Sequence, residues 1–177
     1  MNDQSTEVFF EETQKFRQIW IWAILLPIST VGIGTFIYIL YEQLLHGKPV
    51  GNHPMPNETL IWFGPLMILI LLAIPALIYF MHLHVIVTRT SIDIIFFPFL
   101  KREIPFSRIA SFQARKYKPI LDYGGWGIRW GPAGWAYNVC GSIGIQLIFE
   151  NGKKLLIGSQ KTDQFDAALT KAMKKQK

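Results

Sequence analysis

Two stretches of this chain, residues 19–40 and 60–83, are apolar almost throughout and contain no Asp, Glu, Lys or Arg. At 1.5 Å per residue the first makes about 33 Å of helix, which matches the roughly 30 Å hydrocarbon thickness of a bilayer. Core helices of soluble proteins rarely run so far without a polar face. The two runs therefore predict a transmembrane hairpin over 19–83, with an external connector at 42–59. Trp20, Trp22, Tyr38 and Tyr41 lie near the ends of the first run, and Trp62 and Tyr79 near those of the second. That is where an interfacial aromatic belt would place them. The segment before the first run carries Glu7, Glu11 and Glu12 and no cleavage pattern follows it, so the run reads as an anchor and not a signal peptide.

Charge sets the expected orientation. The connector offers only Lys48, whereas Lys15 and Arg17 precede the first span and Arg89, Lys101 and Arg102 follow the second. Positive-inside counting puts both termini in the cytoplasm, with the chain multi-pass in a cytoplasmic (inner) membrane. The spans hold no Asp, Glu, Lys or Arg, and proton relays and ion paths need such groups, so transport by this chain alone is not expected. Pro27, Pro65, Pro75, Gly32, Gly34 and Gly64 permit kinks and close helix contact, within the hairpin or between copies. An oligomer is compatible with them. Residues 1–18 read as a cytoplasmic interfacial leader helix, with Val8, Phe9, Phe10 and Phe16 among charges and Glu11–Lys15 as an i,i+4 pair.

From residue 84 to 177 the pattern becomes short, alternating and punctuated by turns. Strands are predicted at 84–88, 91–97, 103–117 (broken near Ser107), 127–130, 135–139, 143–150 and 153–157. Asn151-Gly152 predicts a type I′ hairpin turn, with φ > 0 at both positions. Residues from Thr162 predict a closing helix: Thr162 as N-cap, Asp163 and Asp166 early, Lys171, Lys174 and Lys175 late. Its stripe of Phe165, Ala168, Leu169, Ala172 and Met173 must cover a sheet. The fold class expected is an α+β membrane protein: a two-helix transmembrane hairpin, then an antiparallel β-barrel or sandwich of about seven strands, capped by a C-terminal helix.

A resemblance bears on this domain. Tyr123-Gly-Gly-Trp-Gly-Ile-Arg129, Gly134-Trp-Ala-Tyr137, Gly144-Ile-Gln-Leu147, Asn151-Gly152 and Leu156-Ile-Gly-Ser159 resemble the small bacterial membrane proteins with a pleckstrin-homology-like domain. The resemblance covers most of 82–177. It implies a pleckstrin-homology-like barrel and a membrane-associated binding module without established enzymatic activity.

Residues 82–177 hold fifteen basic against six acidic side chains, an excess suited to anionic head groups. Arg115, Lys116, Lys118 and Arg129, with Trp126 and Trp130, form the candidate site for lipid or a partner protein. The loop glycines Gly124, Gly125, Gly127, Gly131 and Gly134 would allow close approach. A twisted strand with glycine bulges and core tryptophans accounts for the same residues. His82 and His84 could share a strand face, but no Cys, Asp or Glu joins them at metal-ligand spacing. Cys140, the single cysteine, excludes an intramolecular disulfide and has neither Lys nor His beside it in sequence. No phosphate-binding loop, paired-carboxylate motif or zinc signature occurs, so no cofactor and no enzymatic activity are expected. An enzyme would need a pocket uniting Arg129, Tyr137 and His84. Scattered basic residues fit no nucleic-acid recognition helix. The expected function is a non-enzymatic scaffold or accessory subunit in the bilayer, docking another membrane protein or complex; the alternative is an anionic-lipid-sensing module.

Overall fold

The computed structural model describes residues 7–174 and divides into two units, Arg17–Phe80 and the remainder. In the first unit, α1 (Ile19–Leu40) runs into a π-helical turn at Tyr41–Leu45, and α2 (Asn57–Phe80) returns antiparallel to it. Both helices are long and apolar enough to cross a membrane. Neither is a buried core helix: only 6% of each most apolar window is buried. Leu71 packs over Gly32 and Leu40 over Gly64, so these two glycines serve contact within the hairpin, whereas Gly34 faces open space. Trp22 meets Tyr79 edge-on, and the Arg17 guanidinium lies 4.2 Å above the Tyr79 ring. In the connector the buried Gln43 amide donates to the Met55 carbonyl and to Asn57 Oδ1. α2 begins three residues earlier than the apolar run, taking Glu58 into its first turn, and ends before His82, which belongs to a strand.

The second unit corrects the expectation of a leader helix. Residues Phe10–Lys15 form β1, not a helix, and pair antiparallel with β2 (His82–Val87). Alternation decides this. Phe10, Glu12, Gln14 and Phe16 are buried and the residues between them exposed, a period of two. Because two of the buried residues are polar, hydrophobicity alone does not display that period. The pair of long apolar helices is therefore inserted between the first two strands of this unit, and does not simply precede it.

β3 (Ser91–Phe97) and β4 (Leu100–Pro105) complete a sheet ordered β1-β2-β3-β4. After a 3₁₀ turn at Phe106–Arg108, the predicted break near Ser107, come β5 (Ile109–Lys116), α3 (Pro119–Tyr123), β6 (Gly127–Gly131), β7 (Gly134–Asn138), β8 (Ile143–Phe149) and β9 (Lys154–Gly158). These five strands make a second sheet, β5-β8-β9-β7-β6, with β7 and β9 parallel. Among the described residues the chain thus has nine strands in two mixed or antiparallel sheets, where about seven were expected. β1 and the separation of β4 from β5 supply the difference.

α4 (Thr162–Lys174) closes the unit, touching β1 and β2 of one sheet and β5 and β8 of the other. Its buried Phe165, Leu169 and Ala172 are the predicted stripe, and Phe165 stacks on Phe10 with centroids 4.8 Å apart. The core lies on the rows Leu83, Val85, Val87 and Ile92, Ile94, Phe96 of one sheet and Ile145, Leu147, Leu155, Ile157 of the other. Two local expectations change. Thr162 is the first helical residue and its hydroxyl donates to the Ser159 carbonyl, so it does not act as the N-cap acceptor. Between β8 and β9 only Gly152 has positive φ; its N–H bonds Phe149 O, and Phe149 N–H bonds Lys153 O. The hairpin is present but its turn is longer than type I′, with the Asn151 side chain accepting from Lys153 N–H.

Candidate functional site

The residues predicted as one site divide between two faces of the second sheet. Register puts Arg129 opposite Ala136 and Trp130 opposite Trp135, so consecutive residues of β6 point to opposite faces. The outer face carries Arg115, Gln146, Ala136, Leu156 and Arg129 and is covered by α3 and its flanks. Tyr117, Tyr123, Ala136 and Leu156 make a small core there. Sequence reasoning left 118–126 without structure; Pro119 at the first helical turn and the Asp122 carboxylate accepting from Lys118 N–H build the helix.

On this outer face Arg115 donates to Gln146 Oε1 at 3.3 Å and pairs with Asp122 at 3.5 Å. Arg129 Nε donates to the Trp126 carbonyl, and Trp126 Nε1 to the Gly141 carbonyl, so Trp126 is a half-buried brace and not a projecting wedge. Lys118, which precedes α3, is exposed; Lys116 is exposed too, but its register opposite Ile143 turns it to the other face from Arg115. None of Lys116, Lys118 and Arg129 has a carboxylate within ion-pair distance among the described residues. α3 presents Ile120 and Leu121, 66% and 77% exposed, which sequence patterning did not single out. The glycines have local backbone duties. Gly124 ends α3 in the left-handed region at φ 72. At Gly131 a Cβ would lie 2.2 Å from the Asp122 carbonyl oxygen, which is why β6 can pass so close beneath α3. Gly125 and Gly127 precede or begin β6, and Gly134 begins β7.

The inner face is different. Trp130 is 71% exposed and shares it with the half-exposed Trp135. Beside them a cleft of about 480 Å³ is lined by Arg102, Arg108, Lys153 and Lys154, with Trp135 and Phe149 as apolar wall and Glu150 on the rim. This cluster draws on β4, the 3₁₀ turn, β7 and the β8–β9 turn, so no sequence spacing signals it. The sequence reading used Arg102 only for topology.

His84 lies on the opposite side of β2 from the core, its Nδ1 2.7 Å from Thr13 Oγ1 and its Nε2 3.6 Å from Glu11. His82 stacks on Phe97. Among the described residues no group of three His, Cys, Asp or Glu side chains could hold a metal ion. Arg129, Tyr137 and His84 do not converge, since Arg129 and Tyr137 occupy opposite faces of one sheet and His84 belongs to the other sheet. Burial raises the Cys140 thiol above its usual value, opposed by the Gln160 amide at 2.7 Å from Sγ, with the Glu12 charge adding to the rise. Such a thiol is mostly protonated at neutral pH and a weak nucleophile.

The sequence matches no known family model and no curated protein.

Proposed function

We propose that this chain is a non-enzymatic membrane-anchored scaffold or accessory subunit, with a pleckstrin-homology-like domain that docks a protein partner at the cytoplasmic face. One observation carries the reading: the apolar helix pair is inserted between two paired strands, so the domain is tied to it at two adjacent points, Phe16 and Met81. With the pair in a bilayer, two covalent tethers hold the domain beneath the membrane far more firmly than one flexible linker would. Phe97 and Phe99 are exposed in the β3–β4 turn, and Phe97 is in register with His82, the residue that starts β2. They suit the interfacial zone beside those tethers. Closure of the two sheets by a C-terminal helix, and the resemblance at Tyr123–Arg129, support the fold assignment.

The docking surface in this reading is the α3 face. Ile120 and Leu121 form an apolar anchor, and Lys118 and Arg129 add charge on the same face that no carboxylate of the described chain neutralises. The complementary partner presents an apolar side chain flanked by acidic residues. A photoreactive residue at Leu121 should give a discrete adduct in intact cells, whereas the same group at the exposed Gln164 of α4 should not. Leu121→Glu should abolish co-purification from mild detergent. A solitary monomer with no adduct at Leu121 would overturn the docking reading, and release by carbonate washing would overturn the membrane reading.

A further inference from the structure

The basic cleft on the inner face is unused by the docking reading and rests on different residues. We infer that it binds a phosphate-bearing ligand of polar-headgroup size, with Arg102 as the principal contact and Arg108, Lys153 and Lys154 as its electrostatic surround.

The argument starts from Arg102. Strand register places it in a row with Glu12, Val85 and Ile94, the core-facing side of its sheet. Arg102 is half-buried there, and a charge on the core-facing side of a sheet ordinarily has a carboxylate partner, because even partial desolvation of an unpaired charge is costly. Glu12 is in the same row but is bound to Ser159 and Gln160, and Arg102 has no carboxylate within ion-pair distance among the described residues. What Arg102 does have is orientation. Its Nη1 donates to the buried Tyr137 hydroxyl at 3.4 Å, and its guanidinium lies 5.6 Å from the Phe149 ring centroid. A guanidinium offers five donors in a fixed plane, and here only one is engaged by the described protein. The remainder form the fork that phosphate oxygens accept in pairs.

The surroundings agree. Arg108, Lys153 and Lys154 line the same cleft and are likewise without ion pairs among the described residues, against the single Glu150. Four cations on one concave wall repel each other, and a bound anion offsets that repulsion. The Ser107 hydroxyl and Asn151 amide add neutral donors, and Trp135 and Phe149 provide an apolar wall for the carbon skeleton of an ester. A volume of about 480 Å³ holds a phosphorylated polyol and falls within the range of small-molecule sites. Lys153 and Lys154 also line an adjoining depression beneath Trp130 and Trp135, open for a larger substituent.

The phosphate could belong to a lipid head group or to a soluble metabolite, and the test separates them. Full-length protein in phosphatidylcholine nanodiscs is followed by hydrogen–deuterium exchange at 100–108 and 149–155. One arm adds soluble glycerol phosphate; the other incorporates phosphatidic acid into the disc. Protection in the first arm assigns a soluble ligand, and protection in the second alone assigns a head group. Arg102→Gln should weaken binding about tenfold or more, the equivalent of one lost charge-assisted contact. Should that variant fail to fold, Lys153→Gln combined with Lys154→Gln, both exposed, should weaken it by a similar factor. Lys161→Gln, exposed and outside the cleft, should leave it unchanged. Absence of protection in both arms, or wild-type binding by the Lys153/Lys154 double variant, overturns the assignment, and neither result bears on cross-linking at Leu121.

Discussion

Replacing Glu12 by Ala should unlatch the first strand while the rest of its sheet stays closed. Glu12 is 6% exposed, and its two carboxylate oxygens have different partners: Ser159 Oγ donates to one at 2.6 Å and Gln160 N–H to the other at 2.9 Å. Both partners lie in the β9–α4 junction, nearly 150 residues away in sequence. Hydrogen bonds to a charged group contribute about 1.5–3 kcal/mol each. Taking the lower value for both gives about 3 kcal/mol, which at about 1.4 kcal/mol per decade means about a hundredfold more local opening. The assay is hydrogen–deuterium exchange of the Phe10–Lys15 amides in detergent-solubilised full-length protein. Glu11→Gln is the control, because Glu11 is 60% exposed and lies 3.6 Å from His84, an exposed pair worth about 0–1 kcal/mol. Glu12→Gln keeps an acceptor for Gln160 and should fall between the two. An Ala effect below threefold, or one no larger than that of Glu11→Gln, would refute the reasoning. If β3 amides accelerate equally in the Ala variant, the whole unit has opened, and the Gln variant then decides.

Two further perturbations test the packing of the second sheet. Gly131→Ala sets a methyl 2.2 Å from the Asp122 carbonyl oxygen, and relief requires moving α3; overpacking of this kind costs about 1–3 kcal/mol. Thermal unfolding in detergent should drop by about 5 °C or more, whereas Gly34→Ala, with open space around it, should change nothing. Tyr117 is pushed up to about 12 from 10.0, mainly by burial, against the lowering effect of its hydrogen bond with Asn138. Below pH 10 both folded and unfolded chains keep the proton; between 10 and 12 the unfolded chain releases it first, so stability falls as pH rises through that window. Tyr117→Phe should start less stable, with Asn138 Nδ2 unpaired, but lose less over the same pH interval; an unaltered slope would refute this.

How much of this was legible depended on which force set each element. The two long helices were legible because long uncharged apolar runs have few other outcomes, and α1 occupies residues 19–40 as predicted. α4 was legible because its stripe repeats with the helical period. β1 was not. Its buried face includes Glu12 and Gln14, stabilised by Ser159, Gln160 and Gly158 O, partners that no local window contains. α3 was hidden by its length of five residues, too short for a periodic signal, and by exposing Ile120 and Leu121 while burying Tyr123. In the Gly124–Gly134 stretch, composition could not show that Arg129 and Trp130 part company across a strand. The cleft was invisible for a simpler reason: its cations come from two stretches, 102–108 and 153–154, that only the tertiary fold brings together.

The lengths of the two helices also explain how so remote a strand pair can close. Lys15 and His82 are in register across 66 intervening residues. Closing a flexible loop of that length costs about 4 kcal/mol beyond a constant term. The intervening segment is not flexible. α1 and α2 have 22 and 24 residues, so each rises about 33–36 Å. They pack antiparallel from Leu40–Gly64 at one end to Trp22–Tyr79 at the other. Helices of nearly equal length return the chain to its starting level, and β1–β2 pairing then costs little more than an ordinary hairpin. The dependence runs the other way as well. A chain beginning at Met81 would leave β2 as an unpaired edge and uncover the face of Phe165 on which Phe10 stacks. The strand that precedes the helix pair is thus as much a part of the sheet as the three that follow it.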